Sequence, residues 1–223
     1  MIHEANGCLR RCASNDTHIL LNSNAQVAQL AALRCDVLSV DVNIYPGVDS
    51  LAGLETVREV IGELNILQSY PLTSLAGLDG LEKVDGSLVF SDSANAGART
   101  LKSVVLPSLK NLGSLSVLNA TTTESIHAIH LPSLETAGLI WIELAPDLTV
   151  IDLPVLKTVT SYVRLRKNDS LTGLSGFAAL QSAHDLYVTM NPKLPQCQVD
   201  ALAARLGISC TSCDQNDPTG ICM

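Results

Sequence analysis

Val163-Arg164-Leu165 and, 23 residues later, Leu186-Tyr187-Val188 are two copies of a three-residue motif that decides the fold. The first and third residues face one way and the middle residue faces the other, because side chains alternate along a strand. Seven copies occur, with third residues Val40, Ile66, Phe90, Val117, Ile142, Leu165 and Val188, at steps of 26, 24, 27, 25, 23 and 23 residues. A repeat of this length predicts a solenoid, in which each coil buries its apolar side against its neighbours.

Further apolar positions complete each coil. Six residues after the motif, four coils carry a second leucine: Leu72, Leu148, Leu171 and Leu194. After Phe90 the corresponding residue is Leu101, which indicates an insertion of about five residues within 92–99. A Leu-x-x-Leu motif follows, as in Leu106-Pro-Ser-Leu109. Proline has no N–H to donate and suits corners, so we expect turns or short strands there and a mainly β fold with parallel ladders.

Composition limits the interior and the partners of the chain. Apolar residues make up 47% of the 223 residues and aromatic residues only 3%, so Leu, Val, Ile and Ala must fill the core. The net charge of −8 disfavours binding to nucleic acid or to anionic membranes. No apolar run has the length of a transmembrane span, and no signal peptide is recognisable at Met1.

The seven cysteines lie outside the regular repeats, at the two ends of the chain. They are Cys8, Cys12, Cys35, Cys197, Cys210, Cys213 and Cys222. This segregation predicts disulfide-braced caps and an exported protein, with Cys12 and Cys35 bracing the N-terminal helix and Cys8 left over. The four C-terminal cysteines allow three pairings, which spacing does not separate. A zinc or redox role for Cys210 and Cys213 fits less well, since no second Cys-x-x-Cys, nearby histidine or thioredoxin-like pattern accompanies them.

The chain divides into three parts of one domain. Residues 1–36 form the predicted N-terminal cap, with a helix over 25–34 that the polar residues Asn22-Ser23-Asn24 begin. Residues 37–191 hold the repeats. Residues 192–223 form a Cys-rich C-terminal cap, with an amphipathic helix over 198–206 that Gly207 ends in a left-handed conformation.

The chain resembles the receptor L domain, the leucine-rich-repeat-like β-helix of insulin and epidermal growth factor receptors. The matching features are Cys12 and Cys35 around a helix, the strand 60–66, the Leu-Pro-Ser-Leu corners, and the strand endings 164–168 and 188–194. The likeness covers residues 12 to about 197 and is nearest to secreted bacterial or lipoprotein-type members. It implies a right-handed β-helix that is extracellular and non-catalytic. The repeat itself predicts about seven coils, with a short cap helix at each end. The predicted location is secreted or cell-surface, with a lipid anchor as one option.

The residues between the inward positions point to a candidate surface. One outward row reads Ser39, Asn65, Val89, Ser116, Trp141, Arg164 and Tyr187, and the next reads Asp41, Leu67, Ser91, Leu118, Glu143, Arg166 and Thr189. Arg164 is expected to stack between the rings of Trp141 and Tyr187, and Glu143 to pair with Arg166. Trp, Tyr and Arg are typical anchors of binding interfaces, but a cross-strand ladder that only stabilises the sheet is an equally good interpretation.

Other candidate residues favour structural roles. Asn168 and Asn191 occupy equivalent places and are expected to satisfy backbone groups at turns. His127 and His130 beside Glu124 lack an apparent third metal ligand, so no metal or cofactor is predicted. The sequence therefore favours a non-catalytic cell-surface binding or adhesion module for a protein or glycan. The alternatives are a carbohydrate-active β-helix enzyme, whose acids here would be Asp41 and Glu143, and a structural spacer in a larger surface protein.

Overall fold

The computed structural model describes residues 2–4, 7–12, 17–67, 71–91, 100–118, 126–210 and 212–222. The predicted insertion at 92–99, Glu124 and the side chain of Cys8 lie outside the described residues. The strands, in chain order, are β1 Ile2–Glu4, β2 Gly7–Leu9, β3 Arg11–Cys12, β4 His18–Leu21, β5 Val37–Leu38, β6 Asp41–Ile44, β7 Glu59–Val60, β8 Leu64–Leu67, β9 Lys83–Ser91, β10 Ser103–Val105, β11 Asn111–Leu118, β12 Ala128–His130, β13 Thr136–Glu143, β14 Val150–Asp152, β15 Thr158–Val159, β16 Tyr162–Arg166 and β17 Asp185–Thr189. The helices are α1 Asn24–Ala32 and α2 Gln196–Leu206, with a 3₁₀ turn at Ser175–Phe177.

The chain is a β-solenoid of about seven turns, as the repeat predicts. Twelve strands form one parallel sheet, β10, β12 and β14 form a second, and β1 and β2 form an antiparallel hairpin. The main ladder runs through β4, β6, β8, β9, β11, β13, β16 and β17. From β8 onward the inward residues predicted from the repeat lie opposite one another: Ile66, Phe90, Val117, Ile142, Leu165 and Val188.

The register predicted for the first copy of the motif is wrong. Ile44, not Val40, lies opposite Ile66 in the ladder. Leu38 belongs to the separate strand β5 and pairs with Val60 in β7. The chain bends between β5 and β6, but Val42 and Ile44 keep the alternation that starts at Leu38 and are buried, so the copy of the motif that joins the ladder is Val42-Asn43-Ile44, four residues later.

This shift changes the outward rows at the N-terminal end. Asn43, not Ser39, lies opposite Asn65. Asp41 pairs with His18 and is not in the row of Glu143. The strand that contains His18 also extends the ladder, so the sheet begins inside the segment predicted as the N-terminal cap.

Glycines allow the same bend within the longer strands β9, β11 and β13. A Cβ atom on Gly113 would lie 2.2 Å from the carbonyl oxygen of Asp85 and 2.5 Å from that of Gly86. A Cβ on Gly138 would lie 2.2 Å from the carbonyl oxygen of Gly113. Successive coils approach so closely at this corner that only glycine fits, and the outward face is set at a fixed angle to the first segment of each coil.

The interior is aliphatic, as the composition predicts. The leucines at the second apolar position are buried: Leu72, Leu101, Leu148, Leu171 and Leu194. Both leucines of each Leu-Pro-Ser-Leu motif are also buried, and the backbone there forms turns, such as the hydrogen bond from the Leu134 N–H to the Leu131 carbonyl at 3.1 Å. The corners therefore seal the core where proline removes a ladder donor.

A column of alternating charge follows these corners along the solenoid. Its members are Arg10, Asp36, Arg58, Glu82, Lys110, Glu135 and Lys157, each joined to the one before by a backbone N–H to carbonyl hydrogen bond. Lys110 Nζ lies 2.7 Å from Glu82 Oε2, and Lys157 Nζ lies 3.4 Å from Glu135 Oε2. These exposed pairs add little stability. If a coil stacked on the next coil but one, residues of like charge would lie side by side, so the alternation favours the observed stacking of successive coils.

Buried asparagines fill the turns after the last strands. Asn168 and Asn191 are fully buried, and each follows a residue in the left-handed region, Lys167 (φ 55°) and Met190 (φ 58°). Each amide nitrogen donates to a carbonyl oxygen of the preceding coil, at 3.2 Å for Asn168 and 3.0 Å for Asn191. Asn216 continues this asparagine ladder in the C-terminal segment. The structural role predicted for the first two residues is confirmed.

The ends of the solenoid are braced by disulfides and helices. The pairs are Cys12–Cys35, Cys197–Cys222 and Cys210–Cys213. Gly207 ends α2 in the left-handed conformation (φ 67°), as predicted. Ser23 precedes α1 but makes no side-chain capping bond; instead Gln26 Oε1 accepts the backbone N–H of Asn22 at 2.7 Å.

Candidate functional site

The five candidate binding residues lie on three consecutive strands, β13, β16 and β17. Trp141 pairs with Arg164 and Arg164 pairs with Tyr187, while Glu143 pairs with Arg166. All five therefore share the outward face of the main ladder, in the two rows that strand alternation predicts. We call these residues the aromatic–arginine cluster.

Glu143 is the centre of this cluster. Only 9% of the residue is exposed, although it stands on the outward face. Its Oε2 accepts the indole N–H of Trp141 at 2.9 Å and the Nε–H of Arg164 at 3.2 Å. Its Oε1 accepts a hydrogen bond from Nη1 of Arg166. One carboxylate thus fixes the positions of three neighbouring side chains through charge-assisted hydrogen bonds.

The surroundings of Glu143 keep its carboxylate ionised. Burial acts to raise the pKa, but the hydrogen bonds from Trp141 and Arg166 and the positive charges of Arg164 and Arg166 outweigh it and lower the pKa below the ordinary value. A general acid of a glycosidase needs a raised pKa. The pKa of Glu143 is shifted the other way, and in this structure its carboxylate acts as a hydrogen-bond acceptor.

The rings of the cluster are arranged differently from the expected stack. The guanidinium of Arg164 lies over the Trp141 ring, 5.2 Å from its centroid. The Tyr187 ring instead packs edge-on against Tyr162, with centroids 5.4 Å apart and planes at 83°. The prediction that Arg164 stacks between two rings is therefore wrong, because Tyr187 turns toward its diagonal neighbour.

Tyr162 also lies on this face, was missed by the sequence analysis, and is counted below as a sixth residue of the aromatic–arginine cluster. It precedes Arg164 by two residues on β16, so extending the alternation by one step identifies it as outward. Its partner Tyr187 has a raised pKa, because its hydroxyl hydrogen-bonds to the carboxylate of Asp185, whose negative charge also opposes ionisation. The hydroxyl of Tyr187 therefore stays protonated at neutral pH.

The two acids proposed for an enzyme do not meet. Asp41 pairs with His18 at the N-terminal end of the sheet, whereas Glu143 lies on β13. His130 Nδ1 lies 3.4 Å from Asp152 Oδ2, and His127 is exposed. Within the described ranges, no group of three or more His, Cys, Asp or Glu residues is placed to hold a metal ion. No helix among the described residues is long and apolar enough to cross a membrane.

No family model, no curated protein and no solved structure matches this chain. The function is therefore inferred from the geometry of the outward face. The C-terminal half of that face carries one tryptophan, two tyrosines and two arginines around a buried carboxylate. The N-terminal half carries shorter or polar side chains, among them Ser116, Val89 and Asn65.

Proposed function

We propose that this chain is a non-catalytic binding module that acts outside the cell or at the cell surface. It recognises a protein or a glycan with the outward face of β13, β16 and β17. The observation that carries the proposal is the aromatic–arginine cluster, in which the buried Glu143 holds the half-buried side chains Trp141, Arg164 and Arg166 on this face.

Prior fixing of these side chains favours a role in binding. A ligand that meets mobile arginine and tryptophan side chains must first order them, at about 0.5–1.5 kcal/mol for each. Here Glu143 already holds Trp141, Arg164 and Arg166, so these side chains are ordered during folding and lose less freedom when the ligand binds. Aromatic and arginine side chains with low residual freedom are typical of the residues that dominate binding energy.

Export is supported by the cysteines. One disulfide braces each end of the solenoid, Cys12–Cys35 and Cys197–Cys222, and disulfides persist in oxidising compartments. The resemblance to receptor L domains agrees with this location, and membership of that family remains part of the proposal. A partner at the cell surface, whether protein or glycan, follows from the same reasoning.

The proposal is tested by screening the oxidised protein against a glycan array and a panel of extracellular proteins. Trp141→Ala and Tyr187→Ala should each weaken binding to the selected partner at least tenfold. Val105→Ala is the matched control, because Val105 is 42% exposed on β10 in the second sheet. If both cluster variants bind every partner as well as the parent chain does, the cluster only stabilises the sheet and the proposed site is wrong.

A further inference from the structure

We infer that the ligand is a neutral glycan, and that one of its sugar rings stacks on the face of Trp141 that Arg164 leaves uncovered. This inference rests on the proposed function and narrows it to one ligand class. Carbohydrate rings present flat C–H faces that pack on aromatic rings, while their hydroxyl groups hydrogen-bond to polar side chains nearby.

The orientation of the indole is fixed from two sides. Its N–H donates to Glu143 Oε2, and the guanidinium of Arg164, from the next strand β16, lies over the ring. Arg164 covers one face of the ring, and we infer that a sugar reaches the other face from the side of β11, where Ser116 lies opposite Trp141. Trp141 is half-buried, so part of this ring remains accessible.

Directly beside Trp141 the side chains on β11 and β9 are small, and Leu118, opposite Glu143, borders them. Ser116 lies directly opposite Trp141, and Val89 lies opposite Ser116. In the adjacent outward row, Ser114 pairs with Ser87. We call the surface between the indole and β8 the Trp141 shelf; its floor consists of these four half-buried residues.

The shelf carries uncharged side chains that can hydrogen-bond to sugar hydroxyls, two serines and an asparagine. The hydroxyl oxygens of Ser114 and Ser116 lie 3.5 Å apart, so a ligand hydroxyl placed between them can bond to either. On the far side, the Asn65 amide nitrogen donates to Asn43 Oδ1 at 2.9 Å. The amide oxygen of Asn65 has no partner among the residues that the structure describes.

The dimensions suit a ring lying edgewise on the sheet. Three strand spacings of about 4.8 Å separate β8 from β13, which makes the shelf roughly 14 Å wide. The floor is shallow because it consists of serine and valine side chains. A peptide cannot add to this face as a further strand, since the backbone groups of β9 and β11 already bond to their neighbours in the ladder.

Charge favours a neutral glycan over an acidic one. The floor of the shelf is uncharged. At one end Glu143 neutralises one of the two arginines, and at the other end Glu63 adds a negative charge, its Oε2 accepting from Asn65 Nδ2 at 3.2 Å. The chain as a whole carries a net charge of −8, which repels polyuronates and sulfated chains. A neutral oligosaccharide avoids this repulsion and still meets the indole and the serine hydroxyls.

The chain contains a single tryptophan, so intrinsic fluorescence reports directly on this shelf. The probes are hexasaccharides of glucose, mannose, galactose and N-acetylglucosamine, with hexagalacturonate as the acidic counterpart. We expect a saturable change in Trp141 emission with at least one neutral probe and a weaker response to hexagalacturonate. Ser116→Leu should weaken the selected probe at least tenfold, because the leucine occupies the place of the sugar ring.

Ser103→Leu is the matched control, since Ser103 is a half-buried residue on β10 in the second sheet. It should bind as the parent chain does. If Ser116→Leu fails to fold by circular dichroism, Ser114→Leu takes its place with the same expectation.

The inference is overturned if no neutral probe alters the emission, if hexagalacturonate binds more tightly, or if Ser116→Leu binds normally. The proposed function has a separate outcome. A protein partner that is lost with Tyr187→Ala but retained with Ser116→Leu supports binding by the cluster and rejects the glycan shelf.

Discussion

Replacing Asn191 by alanine should destabilise the chain more than any outward polar substitution. Its side chain makes five hydrogen bonds in a fully buried turn. The oxygen accepts the backbone N–H and the side-chain amide of Asn168, at 3.1 and 3.2 Å. The two N–H groups of the nitrogen are shared among three acceptors, Leu165 O at 3.0 Å, Thr189 O at 3.1 Å and Asn216 Oδ1 at 3.1 Å.

The magnitude follows from the groups left behind. Asn191→Ala leaves the buried N–H of Asn168 and the carbonyl of Leu165 without the partners they now have. An unsatisfied buried backbone group costs about 1–3 kcal/mol. Two such groups give a loss of about 4 kcal/mol, near the upper end for a single substitution. Asn65→Ala removes side-chain bonds at a half-buried site where water can replace them, and should cost less than about 1 kcal/mol.

The assay is urea unfolding of the oxidised protein at neutral pH, followed by far-ultraviolet circular dichroism and by Trp141 fluorescence. Two probes are needed because repeat proteins do not always unfold in one step, and Trp141 reports on the coils next to the asparagine ladder. If Asn191→Ala loses no more than Asn65→Ala does, the buried asparagines do not stabilise the turns and the reasoning is refuted.

Three further predictions concern the bend, the cluster and the N-terminal cap. Gly113→Ala should lower the unfolding free energy by about 3 kcal/mol or more in the same assay, because its Cβ would lie 2.2 Å from a backbone carbonyl oxygen. Gly173→Ala is the control: its Cβ would lie 3.5 Å from the nearest atom, so the unfolding free energy should change little. Because the folded-state pKa of Glu143 is lowered, the ionised carboxylate stabilises the fold above its unfolded-state pKa, and this stabilisation is lost as the pH falls through the folded-state pKa. Glu143→Gln should therefore show a flatter dependence of the unfolding free energy on pH between about 7 and 3. An equal slope in the variant and the parent chain would contradict this. Replacing Cys12 and Cys35 by alanine opens a loop of 23 residues and should cost about 3 kcal/mol, and peptide mapping without reductant should find this pair joined in the parent chain.

Much of the fold was predictable because one apolar alternation recurs at a nearly constant step. From Ile66 onward every inward position was identified correctly, since only one register buries all the aliphatic residues. The prediction failed in the first coil because two triplets with the same apolar alternation lie there, Leu38-Ser39-Val40 and Val42-Asn43-Ile44. Only the pairing between coils shows which segment belongs to the ladder.

The sequence predicted which residues lie on the face of the candidate site, but not how their side chains contact one another. Alternation places Trp141, Glu143 and Arg164 on one face because it depends on backbone geometry alone. Whether Arg164 stacks on one ring or two depends on side-chain rotamers, which alternation does not determine. The same holds for Tyr187, which packs against Tyr162.

The C-terminal cap was the least predictable part. Spacing left three pairings open for its four cysteines, and the structure joins Cys197 to Cys222 and Cys210 to Cys213. Asn216 follows Asn191 by 25 residues, but its segment lacks the apolar motif that marks the other coils. The segment continues the ladder through polar bonds, such as Asn216 Nδ2 to the Val188 carbonyl at 2.7 Å, which hydrophobic periodicity does not detect.

Hydroxyl-radical footprinting with the partner selected in the screens tests the proposed binding face most directly. Trp141, Tyr162 and Tyr187 should be protected from oxidation when the partner is bound. Tyr45 is the internal reference, because it is 38% exposed at the N-terminal end of the solenoid and should react equally in both states. Unchanged oxidation of these three residues, together with protection at Tyr45, would show that the partner binds elsewhere and that the face of β13, β16 and β17 is not the binding site.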